Sequence, residues 1–351
     1  MKNLFIILLA VIIASCGNAK KSKEGKQAEI NITAAGATFP LPFYNLAFKT
    51  YQQKTGATIT YGGIGSGGGI RSLKDKIVDF GGSDAFLSDK EMQEMPAQVI
   101  HIPTCMGAVV MAYNLPDIKD LKLSGEIVAD IYLGKITRWN DKRIQDLNQG
   151  ITLPDQAINP VYRSDGSGTT YVFSDYLTKI SKEWETNIGT GKSLKWPTGL
   201  AAKGNPGVAG TINQTPGAIG YVGSEYAFAL NMPMAQMQNS AGNFITPTTE
   251  SISAAANGEM PADTRTMITN PSAPEAYPIS CFTWIILYQE QAYADRTLEQ
   301  AKGTIKLLKW MLSPEAQALT VKVHYSPLPQ AAVANAQQLI KSVTYNGQAI
   351  Q

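Results

Sequence analysis

The sequence predicts an α/β protein with room for two domains. Short β-branched runs that alternate in polarity, such as Ala57–Tyr61, lead into glycine-rich turns. Several of these turns are followed by an apolar stripe at helical spacing, as between Val172 and Ile180. The 351 residues, 44% of them hydrophobic and 17% charged, are enough for two ordinary domains with a real core. We therefore expect strand, glycine turn and helix to be the recurring unit of the fold.

The first residues are interpreted as an export signal followed by a lipid anchor. The apolar run Leu4–Ala14 is shorter than the ~20 residues of a membrane span and is typical of a signal peptide. Ile13-Ala-Ser-Cys16 is similar to the lipobox of bacterial lipoproteins, in which the signal is cut before the cysteine and the cysteine is acylated. We expect a signal peptide over residues 1–15 and a lipidated tether over residues 16–28. An ordinary signal peptide with an unrelated cysteine is the alternative.

The net positive charge of the chain comes from its first 28 residues. The formal net charge is +2, but the first 28 residues carry five lysines and one glutamate, which leaves about −2 for the remainder. A nucleic-acid-binding protein would need a basic stripe on its folded part. We therefore expect no nucleic-acid partner, and any anion specificity has to be local.

The first strand, turn and helix are predicted over Asn31–Gly56. Pro40 suits the first turn of a helix because its missing N–H group costs nothing there, and Gly56 suits the position just after the helix end. The start of this helix carries the hydroxyl of Thr38 and the amide of Phe39. Taken alone, Thr38 is interpreted as an N-cap.

A second unit follows, with the strand Ala57–Tyr61 and a helix whose core face should include Ile70, Leu73 and Ile77. The turn between them matches the dinucleotide-binding pattern G-x-G-x-x-G, but a stretch this rich in glycine matches many patterns. What remains is a second helix start with exposed amides and one hydroxyl, Ser66.

A third strand, Val78–Leu87, ends in a glycine pair followed by Asp84. Ser88 and Glu91 form a capping box for the next helix, so Asp84 is not needed as a cap. Its carboxylate either closes an Asx-turn or faces a ligand as a hydrogen-bond acceptor.

The central part of the chain predicts longer elements. Val99–Tyr113 is read as two strands or as one strand that crosses between domains, Ile127–Trp139 as a helix, and Tyr277–Tyr288 as a buried strand that returns to the first domain. Residues 238–278 should form loops and short helices. Cys105 and Cys281 lie in apolar runs, and either a disulfide or two buried thiols would fit.

The stretch Val161–Leu177 carries the clearest chemical signal. Its turn, Asp165-Gly-Ser-Gly168, opens a helix, so the first N–H groups and the positive end of the helix dipole face the same place. An oxyanion is the natural occupant, and Arg163 adds a planar fork of donors. A capped surface turn is the alternative reading of the glycine turn alone.

Catalytic machinery is not visible in the sequence. There is no nucleophile elbow, and Gly189–Ser193 fails as a phosphate-binding P-loop because Thr186 stands where a glycine is required. With only His101 and His324, a zinc site is not expected, and His101 is read as structural. We predict a binding protein and not an enzyme. An exported phosphatase or phosphoesterase is the alternative, and it would need a metal or a nucleophile–base pair.

Six motifs occur in order within a match to a known family that runs from about residue 32 to beyond residue 320. They are Ala35-Gly-Ala-Thr-Phe-Pro40, Gly63-Ile-Gly-Ser66, Asp79-Phe-Gly-Gly-Ser-Asp84, Ile131-Tyr-Leu-Gly-Lys-Ile-Thr-Arg-Trp-Asn140, Arg163-Ser-Asp-Gly-Ser-Gly-Thr169 and Pro216-Gly-Ala-Ile-Gly-Tyr-Val222. Together they resemble the phosphate-binding proteins of high-affinity phosphate ABC transporters.

The resemblance implies a type II periplasmic-binding-protein fold, in which two α/β lobes joined by a two-stranded hinge close on the ligand. The implied division is a first lobe over 29–104 and 279–351 and a second lobe over 105–278, with hinge strands near residues 104 and 279. The implied function is that of a monomeric extracytoplasmic receptor, anchored through Cys16, without cofactor or metal. It would bind inorganic phosphate and deliver it to the permease, and through it to the ATPase, of an ABC transporter.

The resemblance also implies a set of ligand-binding residues. Matched by motif, phosphate would be held by Thr38, the Phe39 amide, Ser66, Asp84, Arg163, Ser167, the Gly168 amide and Thr169, with Asp165 bracing the arginine. The loop Gly67–Gly69 departs from the usual Ser-Gly-Gly of the family, and the two cysteines are not family features. Asp84 is expected to select phosphate over sulfate, because near neutral pH only phosphate keeps a proton to donate.

Overall fold

The computed structural model describes residues 30–115 and 117–350. The predicted signal peptide, Cys16 and the tether therefore lie outside the described residues. None of the helices in the described ranges is both long enough and apolar enough to cross a membrane.

The described chain contains thirteen strands and thirteen α-helices. The strands are β1 Asn31–Gly36, β2 Thr58–Gly63, β3 Phe80–Ser83, β4 Val99–Tyr113, β5 Lys122–Leu123, β6 Asn159–Arg163, β7 Leu200–Ala202, β8 Ala218–Gly223, β9 Gln236–Gln238, β10 Phe244–Ile245, β11 Ser280–Tyr288, β12 Thr344–Tyr345 and β13 Gln348–Ala349. The helices are α1 Leu41–Thr55, α2 Ser66–Lys74, α3 Asp89–Gln93, α4 Gly125–Tyr132, α5 Lys142–Leu147, α6 Gly168–Ile180, α7 Lys182–Asn187, α8 Gly204–Gln214, α9 Ser224–Ala229, α10 Thr249–Ala254, α11 Leu298–Met311, α12 Pro314–Gln317 and α13 Gln330–Lys341, with a 3₁₀ turn at Val321–Val323.

The main sheet has eight strands in the order β2-β1-β3-β11-β4-β8-β6-β7. One strand, β4, belongs to both halves of this sheet. It pairs antiparallel with β11 as far as Ala108 and antiparallel with β8 from Val109 onward. We call the half built on β1, β2, β3 and β11 the first lobe and the half built on β6, β7 and β8 the second lobe. The α/β class and the two-lobed fold are confirmed, and Val99–Tyr113 is one strand that crosses between the lobes.

Burial on both faces explains why the sequence of β4 is apolar without alternation. All fifteen of its residues are buried, and a strand covered on both faces favours a continuous hydrophobic run. Its neighbour β11 is buried over its full length in the same way. The two strands therefore form the common core from which both lobes extend.

The first helix ends as its sequence predicts, but its start differs from the prediction. Gly56 follows α1 in the left-handed conformation, with a φ of 76°, and its N–H group donates to the Gln52 carbonyl. However, Pro40 occupies the N-cap position and no side chain caps the helix. The interpretation of Thr38 as an N-cap is therefore wrong, and its hydroxyl is available for other contacts.

Two predicted helices end earlier than their apolar patterns suggest. Helix α2 stops at Lys74, and Lys76 adopts a left-handed φ of 57°, which turns the chain away from the core. Ile77 is consequently 69% exposed, so its predicted place on the core face is wrong. Helix α4 stops at Tyr132 rather than at Trp139, and Gly134 follows with a φ of 75°.

The cysteines and the buried histidine have structural environments. Cys105 and Cys281 are both buried, and neither forms a disulfide within the described ranges. Of the two alternatives, the structure therefore contains two buried thiols.

His101 accepts the Leu87 N–H group through Nε2 at 3.1 Å, and burial lowers the pKa of His101 to about 3, so the ring is neutral. Its structural role agrees with the prediction.

Alanine substitutions at two glycines test the helical conformation at Gly210 and the left-handed conformation at Gly56. Gly210 lies inside α8 with open space where a Cβ would be, so Gly210→Ala should raise the free energy of unfolding by about 0.5–1 kcal/mol. Gly56 has the same open space but a φ of 76°, so Gly56→Ala should lower it by about 1 kcal/mol. Chemical denaturation measures both values. A destabilised Gly210→Ala or a stabilised Gly56→Ala would contradict these conformations.

Candidate functional site

Two glycine turns, one from each lobe, lie against each other. The Gly67 N–H group donates to the Gly166 carbonyl at 2.9 Å, and the Gly168 N–H group donates to Ser66 Oγ at 3.0 Å. Neither turn has room for larger residues at its centre. A Cβ on Gly65, which has a φ of 87°, would lie 2.4 Å from Asp165 Oδ2, and a Cβ on Gly168 would lie 2.5 Å from Ser66 Oγ. The glycines therefore allow the two lobes to come into backbone contact.

Three helices begin at this contact. Helix α2 starts at Ser66 in the first lobe, and α6 and α8 start at Gly168 and Gly204 in the second. Ser167 caps α6, because its Oγ accepts the Thr170 N–H group at 3.0 Å. Since the first N–H groups of a helix have no partner within the helix, these starts concentrate backbone donors in one place.

Arg163 is held rigidly at the end of β6. Its Nε and Nη2 donate to the two carboxylate oxygens of Asp165 at 2.7 and 2.6 Å, and the side chain is only 2% exposed. Asp165 also accepts the Gly204 N–H group at 3.0 Å. Burial raises the pKa of Asp165, but the hydrogen bonds from Arg163 outweigh burial and hold it below its usual value. The arginine Nη1 faces Thr169 Oγ1 at 3.4 Å.

Asp84 is a buried carboxylate between the two lobes. It has no exposed surface, and its Oδ1 accepts the Thr283 hydroxyl of β11 at 2.9 Å. Its Oδ2 has no hydrogen-bond partner among the described residues. Burial raises the pKa of Asp84 to about 7, although Thr283, Arg163 and Thr169 act in the opposite direction. The Asx-turn interpretation does not hold, because the carboxylate bonds to β11 and not to its own turn.

Asn205, the second residue of α8, joins the two lobes and was not found by sequence reasoning. Its backbone N–H and its Nδ2 donate to Thr38 Oγ1 at 3.0 and 3.1 Å. The same Nδ2 donates to Thr169 Oγ1 at 3.1 Å. The signal that could have found it is Lys203-Gly-Asn-Pro206, a further glycine turn at a helix start.

Glu225 is a second buried acid that sequence reasoning missed. It is 3% exposed, lies beside the hydroxyls of Ser224 and Tyr325, and has a pKa raised to about 8 by burial, with the Asp84 carboxylate adding to the effect. Nothing in the sequence marks this residue, because a glutamate in the first turn of a helix is usually exposed to solvent.

The predicted site residues come together in one cluster between the lobes. Hydrogen bonds connect Thr38 through Asn205 to Thr169 and Arg163, and connect Ser66 to both Gly168 and the Asp84 amide. Phe39 is fully buried next to Thr38, and its N–H group has no protein acceptor within the described residues. We call this cluster the interlobe site; its members are Thr38, Phe39, Ser66, Asp84, Arg163, Asp165, Ser167, Gly168, Thr169 and Asn205.

Further contacts hold the lobes together around this site. Lys192 of the second lobe forms a salt bridge of 2.7 Å with Glu91 of α3, and the Tyr226 hydroxyl donates to the Thr38 carbonyl. Groups of three or more histidine, cysteine, aspartate or glutamate residues that could hold a metal ion are absent from the described part of the chain. The arrangement offers many donors and one unpaired acceptor, which is the chemistry of an oxyanion site.

The fold and this site define a two-lobed ligand-binding protein. Residues 21–315 match the profile of the PBP superfamily domain. The phosphate-binding protein of Stenotrophomonas maltophilia has a similar fold, with a TM-score of 0.68 at 19% identity over 88% of this chain and 93% of that chain.

Within that superfamily, the chain belongs to the family of PstS phosphate-binding proteins. The phosphate-binding protein PstS of Pasteurella multocida is 41% identical over 313 residues, which cover 87% of this chain and 88% of the relative. The phosphate-binding protein PstS of Haemophilus influenzae is 40% identical over 311 residues, with 87% and 90% covered. The family resemblance read from the six motifs is confirmed.

Glu225→Gln should reduce the pH dependence of stability in the protein without ligand. Because the pKa of Glu225 is raised from 4.5 to about 8, the folded protein holds this proton more tightly than the unfolded chain does. The stabilisation is fully present below pH 4.5 and is lost as the pH rises through 8, at up to about 1.4 kcal/mol per pH unit. Denaturation between pH 4.5 and 8.5 should therefore show a shallower loss of stability in Glu225→Gln. Exposed Glu299 provides the control, since Glu299→Gln should keep the wild-type slope. The same slope in Glu225→Gln as in wild type would exclude this role of the buried acid.

Proposed function

We propose that the protein is an extracytoplasmic receptor that binds inorganic phosphate at the interlobe site and delivers it to the permease of an ABC transporter. The observation that carries the proposal is the unpaired Oδ2 of buried Asp84, which lies among hydrogen-bond donors from both lobes. The names of the close relatives in Pasteurella multocida and Haemophilus influenzae support phosphate as the ligand.

The donors of the site match a tetrahedral anion. The proposed ligands are the hydroxyls of Thr38, Ser66, Ser167 and Thr169, the amides of Phe39 and Gly168, the guanidinium of Arg163 and the carboxylate of Asp84. In this structure the Gly168 N–H group donates to Ser66, so binding requires that hydrogen bond to be shared or released. Hydrogen bonds to a charged partner contribute about 1.5–3 kcal/mol each, so a site of this kind can bind a small anion tightly.

Charge neutralisation comes mostly from dipoles rather than from cations. Arg163 is already paired with Asp165, so the site has no surplus positive charge from these two side chains. The helices that start at Ser66, Gly168 and Gly204 supply the positive ends of their dipoles in its place. A site with little net charge discriminates between anions by the pattern of donors and acceptors, not by charge alone.

Asp84 provides that discrimination. A hydrogen-phosphate ion carries a proton that can be donated to Asp84 Oδ2, whereas sulfate would place lone pairs against a buried carboxylate. A site built around one acceptor rejects a ligand that lacks the matching donor, because the acceptor would remain buried and unpaired. We therefore propose that the protein prefers phosphate to sulfate.

The remaining parts of the proposal concern the chain outside the site. Residues 1–15 would be removed as a signal peptide, and Cys16 would carry the lipid that anchors the protein through residues 16–28. The lobes would be divided at residues 104/105 and 278/279, and β4 with β11 would act as the hinge. The partners would be the permease and ATPase subunits of the transporter, with the receptor acting as a monomer without a cofactor.

Asp84→Asn tests the basis of selectivity. Replacing the carboxylate by an amide removes the repulsion of sulfate and weakens the acceptor for the phosphate proton, so the ratio of the sulfate Kd to the phosphate Kd should fall by about 10- to 100-fold. Isothermal titration of both anions against wild type and the variant gives this ratio. Exposed Asp155→Asn is the matched control. An unchanged ratio in Asp84→Asn would refute the assigned role.

Arg163→Ala tests the fixed cation. The substitution leaves Asp165 and a bound anion without their shared partner, so phosphate binding should weaken by about 3–5 kcal/mol, or more than a hundredfold in Kd. Arg138, whose side chain is 50% exposed, provides the control, and Arg138→Ala should bind phosphate as wild type does. A loss below about 1 kcal/mol in Arg163→Ala would place the arginine outside the binding site.

A further inference from the structure

Three hydroxyl groups of the interlobe site, those of Thr38, Ser66 and Thr169, share one feature: hydrogen bonds from the protein itself occupy their lone pairs. A hydroxyl has one hydrogen to donate and two lone pairs that accept. Thr38 Oγ1 accepts two hydrogen bonds, both from Asn205, at 3.0 and 3.1 Å. With both lone pairs used, the Thr38 hydroxyl can only donate to a further partner.

Thr169 and Ser66 show the same pattern. Thr169 Oγ1 accepts from Asn205 Nδ2 at 3.1 Å and from Arg163 Nη1 at 3.4 Å. Ser66 Oγ accepts from the Gly168 N–H group at 3.0 Å and from the Asp84 N–H group at 3.4 Å. All three residues are at most 4% exposed, so their hydroxyls have little contact with bulk water. In this structure each of the three hydroxyls therefore has only its hydrogen left to donate.

Asn205 accounts for three of these six donated hydrogen bonds, and its own orientation is fixed. Its Oδ1 accepts the Gly223 N–H group at 2.9 Å, so the amide cannot exchange its oxygen and nitrogen without losing that bond. Its backbone N–H belongs to the first turn of α8 and is therefore free of helical hydrogen bonding. The side chain has no exposed surface.

We propose that Asn205 is a positioning residue that sets the hydroxyls of Thr38 and Thr169 as donors to the bound anion. Asn205 acts without touching the anion, and the inference rests on the proposed function. A hydroxyl whose lone pairs are free can turn either its hydrogen or its oxygen toward the ligand. Asn205 removes the second option, so the donor pattern exists before the anion arrives and binding does not have to reorient the hydroxyls.

The same hydrogen bonds couple donor orientation to contact between the lobes. Thr38 belongs to the first lobe, whereas Asn205 and Thr169 belong to the second. Thr38 is therefore set as a donor only when the lobes are together, and its hydrogen bond to the anion adds to the stability of that arrangement. Asn205 thereby makes anion affinity depend on the relative position of the lobes.

A double-mutant cycle with Asn205→Ala and Thr38→Val tests this role. Phosphate Kd is measured by isothermal titration for wild type, both single variants and the double variant. Asn205→Ala should raise Kd about 10- to 100-fold, because Thr38 and Thr169 each lose one of the two donors that fix their polarity. In the Thr38→Val background the same substitution should raise Kd by a factor at least threefold smaller, since one of its two targets is absent. Equal factors in both backgrounds would show that Asn205 does not act through the Thr38 hydroxyl.

The control is Asn148→Ala, which removes a buried asparagine of the second lobe that bonds only to backbone groups of Lys122 and Ile144. It should lower stability and leave phosphate Kd within twofold of wild type. If Asn205→Ala does not fold, the cycle is run with Asn205→Asp, which keeps the acceptor for Gly223 but replaces the donor to Thr38 and Thr169 by an acceptor. The factor should again be smaller in the Thr38→Val background.

The outcomes separate the two proposals. If wild type binds no phosphate, the proposed function is overturned. If wild type binds phosphate but Asn205→Ala lies within twofold of it, or if the two factors are equal, only the positioning role is overturned.

Discussion

The structure depends on the hydrogen bond between the Gly168 amide and the Ser66 hydroxyl, because it joins the first residues of two helices from opposite lobes. Each helix start carries unpaired N–H groups that need acceptors, and each lobe provides acceptors for the other. The contact is possible only with glycine at positions such as Gly65 and Gly168, where a Cβ would collide with the opposite turn. The glycine turns that look like flexible loops in the sequence are therefore places where the backbones of the two lobes are in direct contact.

The electrostatics of the site follow from burial with incomplete pairing. Arg163 and Asp165 neutralise each other, while Asp84 retains an unpaired oxygen and a pKa near 7. In a buried environment an unpaired acceptor is costly, and a ligand that donates a proton to it removes that cost. The cost of burying the unpaired Asp84 oxygen is thus also the reason why the site favours an anion that carries a proton.

The connection between the lobes is built into the core rather than into a loop. The strand β4 is buried along its whole length and changes partner between Ala108 and Val109, so the two half-sheets share one continuous backbone. A movement of one lobe relative to the other must therefore bend a packed strand.

The sequence by itself determined the local units and most of the chemistry. Periodicity predicted the first helix up to Gly56, and the glycine turns located Thr38, Ser66 and Arg163, because helix starts and turns obey short-range rules. The same rules failed at Ile77, where one left-handed residue redirected an apolar stripe. Only the tertiary structure shows that Asn205 lies between two threonines and that Glu225 is buried. Both results depend on contacts with residues more than thirty positions away in the chain, some of which lie in the other lobe. Local sequence encodes which groups can donate or accept, but the packing of two lobes decides which of them remain unpaired.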